Sequence, residues 1–534
     1  MSMRHSIFLY ALMLLASSCA IQVPPTGGDK DTKPPAVKKS SPENFSTNFK
    51  GHDISISFDE YIALKELNAQ FVVSPPLSHL PDAKVKKKTL SIHIEDTLMN
   101  NTTYTMNFGN AITDLREGNA MEDFQYVFST GAIIDSLTIK GKVENALDKK
   151  TEKGIYVMLY RGTDDSLPLK KLPDYFAKTT EEGTFEVKNV SPGKYRIFAL
   201  KDNNSNYLFD NADEDIAFLK DPVEAGKTAD SLNLFKESKK QQLLKASCDE
   251  PGHVIIAYAR PLEKEKIIFQ SDTASLKMYS MIYSEKRDTI IFWYRNIQSD
   301  SLNFILRRDA ASDTISVRLK IFNEKVRARY NFSLATQYTS KIENPLDLNK
   351  PLELIFNHPI DSFDLSKISV KEDSIPLTNL KPVFADSLKR NLILDFPRKE
   401  KTNYSVDIPS RTLKDIFGMR NDTMKFLFQT KSITDYGTMA VKMSVASGKN
   451  WIVQLIDDKE NIYRQSYLHA DTTLNYDYLD PRSYRLKVIE DLNNNNQWDP
   501  GDYLEHRQPE RVLYYRESLT VRANWDVEVK WDID

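Results

Sequence analysis

Short runs in which apolar and polar residues alternate recur along the whole chain. They are rich in Ile, Val, Phe and Tyr and are separated by clusters of turn-forming residues. A period of two places successive side chains on opposite faces of an extended strand, so the pattern predicts half-buried β-strands. Apolar runs with helical period are scarce. The pattern therefore predicts an all-β chain, and its length asks for several cores in place of one.

The pattern also repeats. Residues 52–60, HDISISFDE, set Ile54, Ile56 and Phe58 on one strand face, and residues 350–358, KPLELIFNH, do the same with Leu352, Leu354 and Phe356. The stretch 89–108 matches 391–408, pairing Tyr104, Met106 and Phe108 with Tyr404, Val406 and Ile408. Residues 112–130 match 413–430, pairing Phe128 with Phe428. A more degenerate copy lies between them: HVIIAYARPL (253–262) echoes LELIFNHPI, residues 288–306 echo the Tyr104 block, and Ile315, Val317 and Leu319 form its last strand. Units of about a hundred residues made of short strands suit an immunoglobulin-like sandwich.

The opening PPAVKKSSPEN (34–44), the strand ISISFDEYI and the closing YVFSTG (126–131) resemble the bacterial Ig-like domain described in S-layer proteins, a domain common in lipoproteins of Bacteroidota. The resemblance implies a structural or presenting role and carries over no catalytic residue.

A second module recurs after the outer two copies. PGKYRIFALKDNNSNYLFDNAD (192–213) aligns without a gap on PRSYRLKVIEDLNNNNQWDPGD (481–502), at an offset of 289 residues. Strands are expected at 137–146, 154–162 and 183–190. The run of Gly183, Phe185, Asn189, Pro192, Gly193 and Tyr195 resembles the transthyretin-like, carboxypeptidase-regulatory sandwich; the second copy keeps Pro481 and Tyr484 and loses the glycine. The C-terminal NWDVEVKWDID places Trp525, Val527, Val529, Trp531 and Ile533 on one face of a closing strand.

The amino terminus reads differently. Arg4 precedes nine apolar residues, Ile7 to Leu15, far short of the ~20 residues that span a bilayer, so the segment is a signal peptide. Ala16, Ser17 and Ser18 lead into Cys19, which resembles the lipobox of bacterial lipoproteins, although Leu15 stands four residues before the cysteine and the usual leucine stands three before. That resemblance implies a diacylglycerol on Cys19 and attachment to the membrane by lipid alone. Paired prolines and glycines in 20–33 make a tether with no core of its own. The expected layout is a signal peptide over 1–19, the tether over 20–33, Ig-like over 34–131, transthyretin-like over 135–229, a degenerate Ig-like domain over 230–334, Ig-like over 335–431 and transthyretin-like over 436–534.

Composition limits the chemistry. Lys and Arg total 72 against 75 Asp and Glu, with no basic stripe, which argues against a nucleic-acid partner. Cys248 has no cysteine partner once Cys19 is committed, and with no His or Cys near it in sequence it reads as an inert thiol. The eight histidines are isolated in sequence, with no HExxH and no cysteine–histidine metal spacing. No G-x-S-x-G elbow occurs, AGKT at 225–228 lacks the earlier glycine of a phosphate loop, and the neighbouring Asp59 and Glu60 read as turn residues.

One constellation has ligand-like spacing. Asp202, Asn204, Asn206, Asp210 and Asp213 occupy positions 1, 3, 5, 9 and 12 of a twelve-residue loop, and Asp491, Asn493, Asn495, Asp499 and Asp502 repeat them. This is the spacing of an EF-hand calcium loop, with a backbone carbonyl at position 7 (Leu208 or Gln497) completing the shell. Position 6 is Tyr207 or Asn496 in place of glycine, and position 12 is the shorter Asp, so weak structural calcium sites are expected, with no organic cofactor. Turn formation by Asn and Asp is the simpler use of the same residues.

The expected role is a non-catalytic, lipid-anchored structural or binding protein of the outer membrane, with a protein or polysaccharide partner. A glycan-binding accessory of a nutrient-uptake system is the alternative, with Trp293, Tyr294 and Trp498 as candidate platforms, and an envelope hydrolase comes third. Close after Cys19 there is no acidic run of the sort associated with surface export, since Asp29 and Asp31 come late. The expected orientation is therefore toward the periplasm.

Overall fold

The computed structural model describes residues 31–534 except 123, 205, 239–240, 263–265, 270–279, 285, 296–299, 308–311, 321–331, 336–340, 343–344, 447 and 534. Cys19, the other residues expected to form a signal peptide and most of those expected to form a tether lie outside these. The described chain is almost entirely strand and folds as tandem β-sandwich modules. It falls into two compact units: one runs up to Val143 and includes Thr151–Phe209 and Ala217–Leu232, and the other comprises Glu144–Lys150, Asp210–Ile216 and Asn233–Asp534.

In the first sandwich one sheet orders Val37–Ser41, Asp53–Phe58, Thr89–His93 and Asp82–Lys86, and the other orders Val72–Ser74, Thr103–Asn107 and Gln125–Ser129. Alternation decides which residues enter the core: Ile54, Ile56 and Phe58 are buried from one sheet, and Tyr104, Met106 and Phe108 from the other. The sandwich at 334–429 repeats both sheets. Leu334–Ala335, Leu352–Phe356, Asn391–Asp395 and Lys381–Phe384 form one, and Ile375–Pro376, Ser369–Glu372, Asn403–Ile408 and Met424–Gln429 form the other. The intervening copy keeps the plan, with Leu243–Glu250, His253–Tyr258, Thr289–Trp293 and Ser280–Tyr283 in one sheet and Lys266–Phe269, Ser301–Arg307 and Ser312–Arg318 in the other. Ile315, Val317 and Leu319 are buried in that copy's own core.

The outer copies share a closing device. Tyr104 Oη accepts the Met99 N–H at 2.9 Å, and Tyr404 Oη accepts the Lys399 N–H at 2.9 Å. Thr130 Oγ1 and Thr430 Oγ1 each accept a backbone N–H at 3.0 Å, from Thr102 and Thr402 respectively. In the middle copy the strand register puts Leu302 in the tyrosine's place, opposite Val317 as Tyr404 is opposite Phe428.

In the first unit, Tyr175–Lys178, Tyr156–Tyr160 and Lys194–Lys201 pair antiparallel in that order, and Leu137–Asn145 pairs with Thr184–Val190 over Leu137–Lys142. The last module sets Ile462–Leu468, Trp451–Ile456, Arg482–Glu490 and Val512–Tyr514 in one sheet against Thr472–Leu479, Gly437–Val445 and Asp526–Ile533 in another. Its closing strand runs parallel to Gly437–Val445. Val529 and Ile533 are buried, but Trp525 stands before the strand and is 58% exposed, which corrects its placement on the strand's face with them. The strand begins only at Asp526, so the alternating rule does not extend to Trp525. The PGKY and PRSY motifs meet the same end: Tyr195 Oη donates to Ser191 O at 3.0 Å and Tyr484 Oη donates to Asp480 O at 2.9 Å.

Within the second unit, the middle copy and the sandwich after it share an apolar seam built on Trp293, Leu388 and Phe417. Gly252, at φ +84°, lies so close that a Cβ would stand 2.4 Å from the Phe417 ring. The seam absorbs Trp293 and the middle copy's own core absorbs Tyr294, both 4% exposed, so neither offers a platform to a ligand. Trp498 is half-buried, its Nε1 donating to Glu510 O at 3.0 Å.

Candidate functional site

The two Asp/Asn loops fold alike because short side chains with carbonyl oxygens can hydrogen-bond backbone N–H groups two to five residues on. In the first loop, Asp202 accepts the N–H of Asn204 through Oδ1 at 3.1 Å and of Tyr207 through Oδ2 at 2.7 Å. Asn204 Oδ1 accepts Asn206 N–H at 3.2 Å, and Asn206 Oδ1 accepts Leu208 N–H at 2.8 Å. The second loop repeats the ladder. Asp491 accepts Asn495 and Asn496 N–H at 3.2 and 2.9 Å, Asn493 Oδ1 accepts Asn495 N–H at 3.0 Å, and Asn495 Oδ1 accepts Gln497 N–H at 2.8 Å.

Position 6 takes a left-handed conformation in both, with Tyr207 at φ 62° and Asn496 at φ 63°. That is the sharp turn for which calcium loops carry glycine. The conformation is therefore kept although the residue type is not.

Beyond position 7 the second loop gathers some of its predicted ligands and sends another elsewhere. Asn493 and Asn495 both donate through Nδ2 to Asp499 Oδ2, at 2.6 and 2.7 Å. Asp502 instead pairs by its backbone with Arg507 and accepts Glu505 N–H through Oδ1 at 3.0 Å. Of the first loop's remaining acids, which belong to the second compact unit, Asp210 gives its N–H to Glu214 Oε2 at 3.3 Å and Asp213 Oδ1 faces Lys236 Nζ at 3.1 Å. Among the described residues, no group of three or more His, Cys, Asp or Glu side chains is placed to hold a metal ion.

No residue spacing pointed to Glu510, 4% exposed, which closes the second loop by accepting Leu492 N–H at 2.8 Å and Asp499 N–H at 2.9 Å. Burial pushes its carboxyl above the usual range and the charges of Asp499 and Asp491 add to the rise, while these two N–H groups pull it back. Glu214, 1% exposed, caps Asp210 and Asn211 in the second unit. Neither acid falls on the twelve-residue spacing that pointed to the loops.

The other singled-out groups take structural places. Cys248 is buried, with Sγ 3.2 Å from Tyr294 Oη and accepting Lys320 N–H at 3.2 Å. His93 is half exposed beside Asp53, its Nδ1 2.7 Å from Oδ1. Asp59 Oδ1 accepts Ala36 N–H at 2.8 Å. His358, isolated in sequence, is not isolated in space, because Asp415 lies against it in the wall of the seam. Among the described residues no helix is long and apolar enough to cross a membrane.

No curated protein matches the chain. Among solved structures, the titin Ig tandem A164–A165 overlays at 14% identity and a TM-score of 0.15, covering 36% of this chain and 96% of that one. The Bacillus anthracis TIE protein overlays at 9% identity and a TM-score of 0.14, covering 96% and 76% respectively. BcpA, the major pilin subunit of Bacillus cereus, does so at 9% identity and a TM-score of 0.14, covering 74% and 99%. Residues 31–130, the region that builds the first sandwich, match the family described as bacterial Ig-like domain.

Proposed function

We propose that the chain is an exported, lipid-anchored and non-catalytic binding protein of the outer membrane, held by a diacylglycerol on Cys19 and facing the periplasm. The observation that carries this reading is one sandwich plan built three times, each copy closed around its own core. Such modules space and present surfaces, and their loops and sheet faces are where partners bind. The sandwiches at 135–229 and 436–534 are read as transthyretin-like spacers of the same kind.

The Asp/Asn loops are read as weak calcium sites. The left-handed position 6 and the convergence of Asn493 and Asn495 on Asp499 fit a hard cation held by few carboxylates. Asp491 and Asp499, with the amide oxygens of Asn493 and Asn495 turned inward, would hold the ion. Its charge would relieve the crowding of acids around Glu510 and fix the loop.

Two measurements test the anchoring and its orientation. Radiolabelled palmitate should enter the wild-type protein and not Cys19→Ala. Protease applied to intact cells should leave the protein whole until the cells are lysed. Digestion in intact cells would reverse the orientation and make surface adhesion the leading role.

A further inference from the structure

The two loop modules share a skeleton and differ in what stands over it. In the first, the Tyr207 ring packs on Tyr156 at 5.2 Å and on Phe176 at 5.0 Å between centroids, filling the space between loop and sheet. In the second, the equivalent residue is Asn496, and a cavity of about 330 Å³ lies there. That is the low end of the range for small-molecule sites, about 300–1,000 Å³.

Its lining differs from its counterpart residue by residue. The strand registers equate Ile155 with Trp451 and Lys178 with Tyr467, and place Gly154 where the last module has Asn450. The cavity therefore has an aromatic ring at its rim, Tyr467 at 47% exposure, and three amides, Asn450, Asn494 and Asn496, along its walls. Asn450 accepts from His469 Nδ1 and donates through Nδ2 to Asn494 Oδ1, so the polar groups are already tied into one array. Trp451, 1% exposed, lines the same cavity, and its Nε1–H is a buried donor with no acceptor among the described residues.

We infer that this cavity at the edge of the last module is a saccharide subsite. A sugar hydroxyl both donates and accepts, which matches amides and an imidazole that do the same. A pyranose also has a face of C–H groups, which an exposed tyrosine ring covers without needing charge. The one carboxylate among the lining residues, Asp491, is 3% exposed and turned to its own loop, where it accepts two backbone N–H groups, so the amide and ring surface left for a ligand suits a neutral one. The inference deepens the binding role proposed above and rests on it, naming the partner as a neutral glycan.

The test uses the full mature chain bearing Cys19→Ser, to keep it soluble, on an array of immobilised neutral hexasaccharides: malto-, xylo-, laminari-, cello- and chito-oligomers. Binding to at least one is expected, weakened tenfold or more by Tyr467→Ala. Asn496→Tyr should abolish it by filling the cavity as Tyr207 fills its counterpart, at a backbone angle that a tyrosine already adopts in the first loop. Lys178→Ala, at the equivalent place in the first module, should bind as wild type, and melting curves of all variants verify folding. No binding to any of the five, or binding that both variants retain, overturns the subsite. Neither result touches the palmitate and protease measurements, which read anchoring and orientation independently.

Discussion

His358 Nδ1 lies 2.8 Å from Asp415 Oδ2, with the two side chains 5% and 0% exposed. The same carboxylate accepts the N–H groups of Phe417 and Met419 through Oδ1, at 2.9 and 2.8 Å. Phe417 in turn stands edge-on to the His358 ring at 5.1 Å and lies under Trp293 at 6.4 Å. One buried acid thus orders both the histidine and the turn that carry the seam between two sandwiches.

Removing that acid leaves buried donors without an acceptor, which costs about 3–5 kcal/mol when a buried pair is broken from one side. Asp415→Ala should therefore lower the unfolding free energy by about 3 kcal/mol or more in urea titration. Asp59→Ala, the change to an exposed capping carboxylate in the first sandwich, should cost well under half as much.

The tyrosine closures of the outer sandwiches predict additivity. Tyr104→Phe and Tyr404→Phe each delete one hydroxyl acceptor and leave the ring stacked, on Phe128 at 5.4 Å and on Phe428 at 5.8 Å. Each should cost about 1 kcal/mol. The double variant should show their sum, because the two sites belong to separate cores. A deficit larger than the sum in thermal melts would mean that the cores unfold together.

Acid should weaken the place where the fourth sandwich meets the last module. Burial would raise the Asp347 carboxyl, but hydrogen bonds from Lys350, Lys431 and Tyr436 outweigh it and hold the group down at about 2, from 3.8. A depressed folded pKa contributes stability that is whole above the unfolded value and disappears as pH falls through the folded one. The contribution, on the order of 2 kcal/mol, should therefore be lost between about pH 4 and pH 2. Asp347→Asn should remove that part of the slope in a pH series of melting temperatures, and an unchanged slope would refute the assignment.

Calcium at millimolar concentration should raise the melting temperature of the soluble chain, and Asp202→Ala with Asp491→Ala should abolish the rise. Identical melts in EDTA and in calcium would leave the loops as turns alone.

Much of this was legible from the residues. Period-two alternation is a local property, so Ile54, Ile56 and Phe58, or Leu352, Leu354 and Phe356, announced their shared face before any partner strand was known. The repeats were legible for the same reason: aligned blocks carry aligned cores, down to Tyr104 and Tyr404. Trp525 was misread because alternation cannot say where a strand begins. Trp293 was offered as a platform and proved to be a seam residue, because an aromatic side chain looks the same in sequence whether solvent or another module covers it.

What the sequence determined by itself was whatever depends on neighbours along the chain: strand faces, the number of copies, and the Asp/Asn ladder, whose hydrogen bonds span two to five residues. The tertiary structure decided what depends on residues far apart. It brought Asp415 to His358 across 57 positions and carried Glu510 back onto the second loop. It also set Tyr467, Asn450 and Asn496 around one cavity while closing its counterpart with Tyr207. The physical reason is that register and module packing, which no local pattern encodes, fix which distant side chains share a volume.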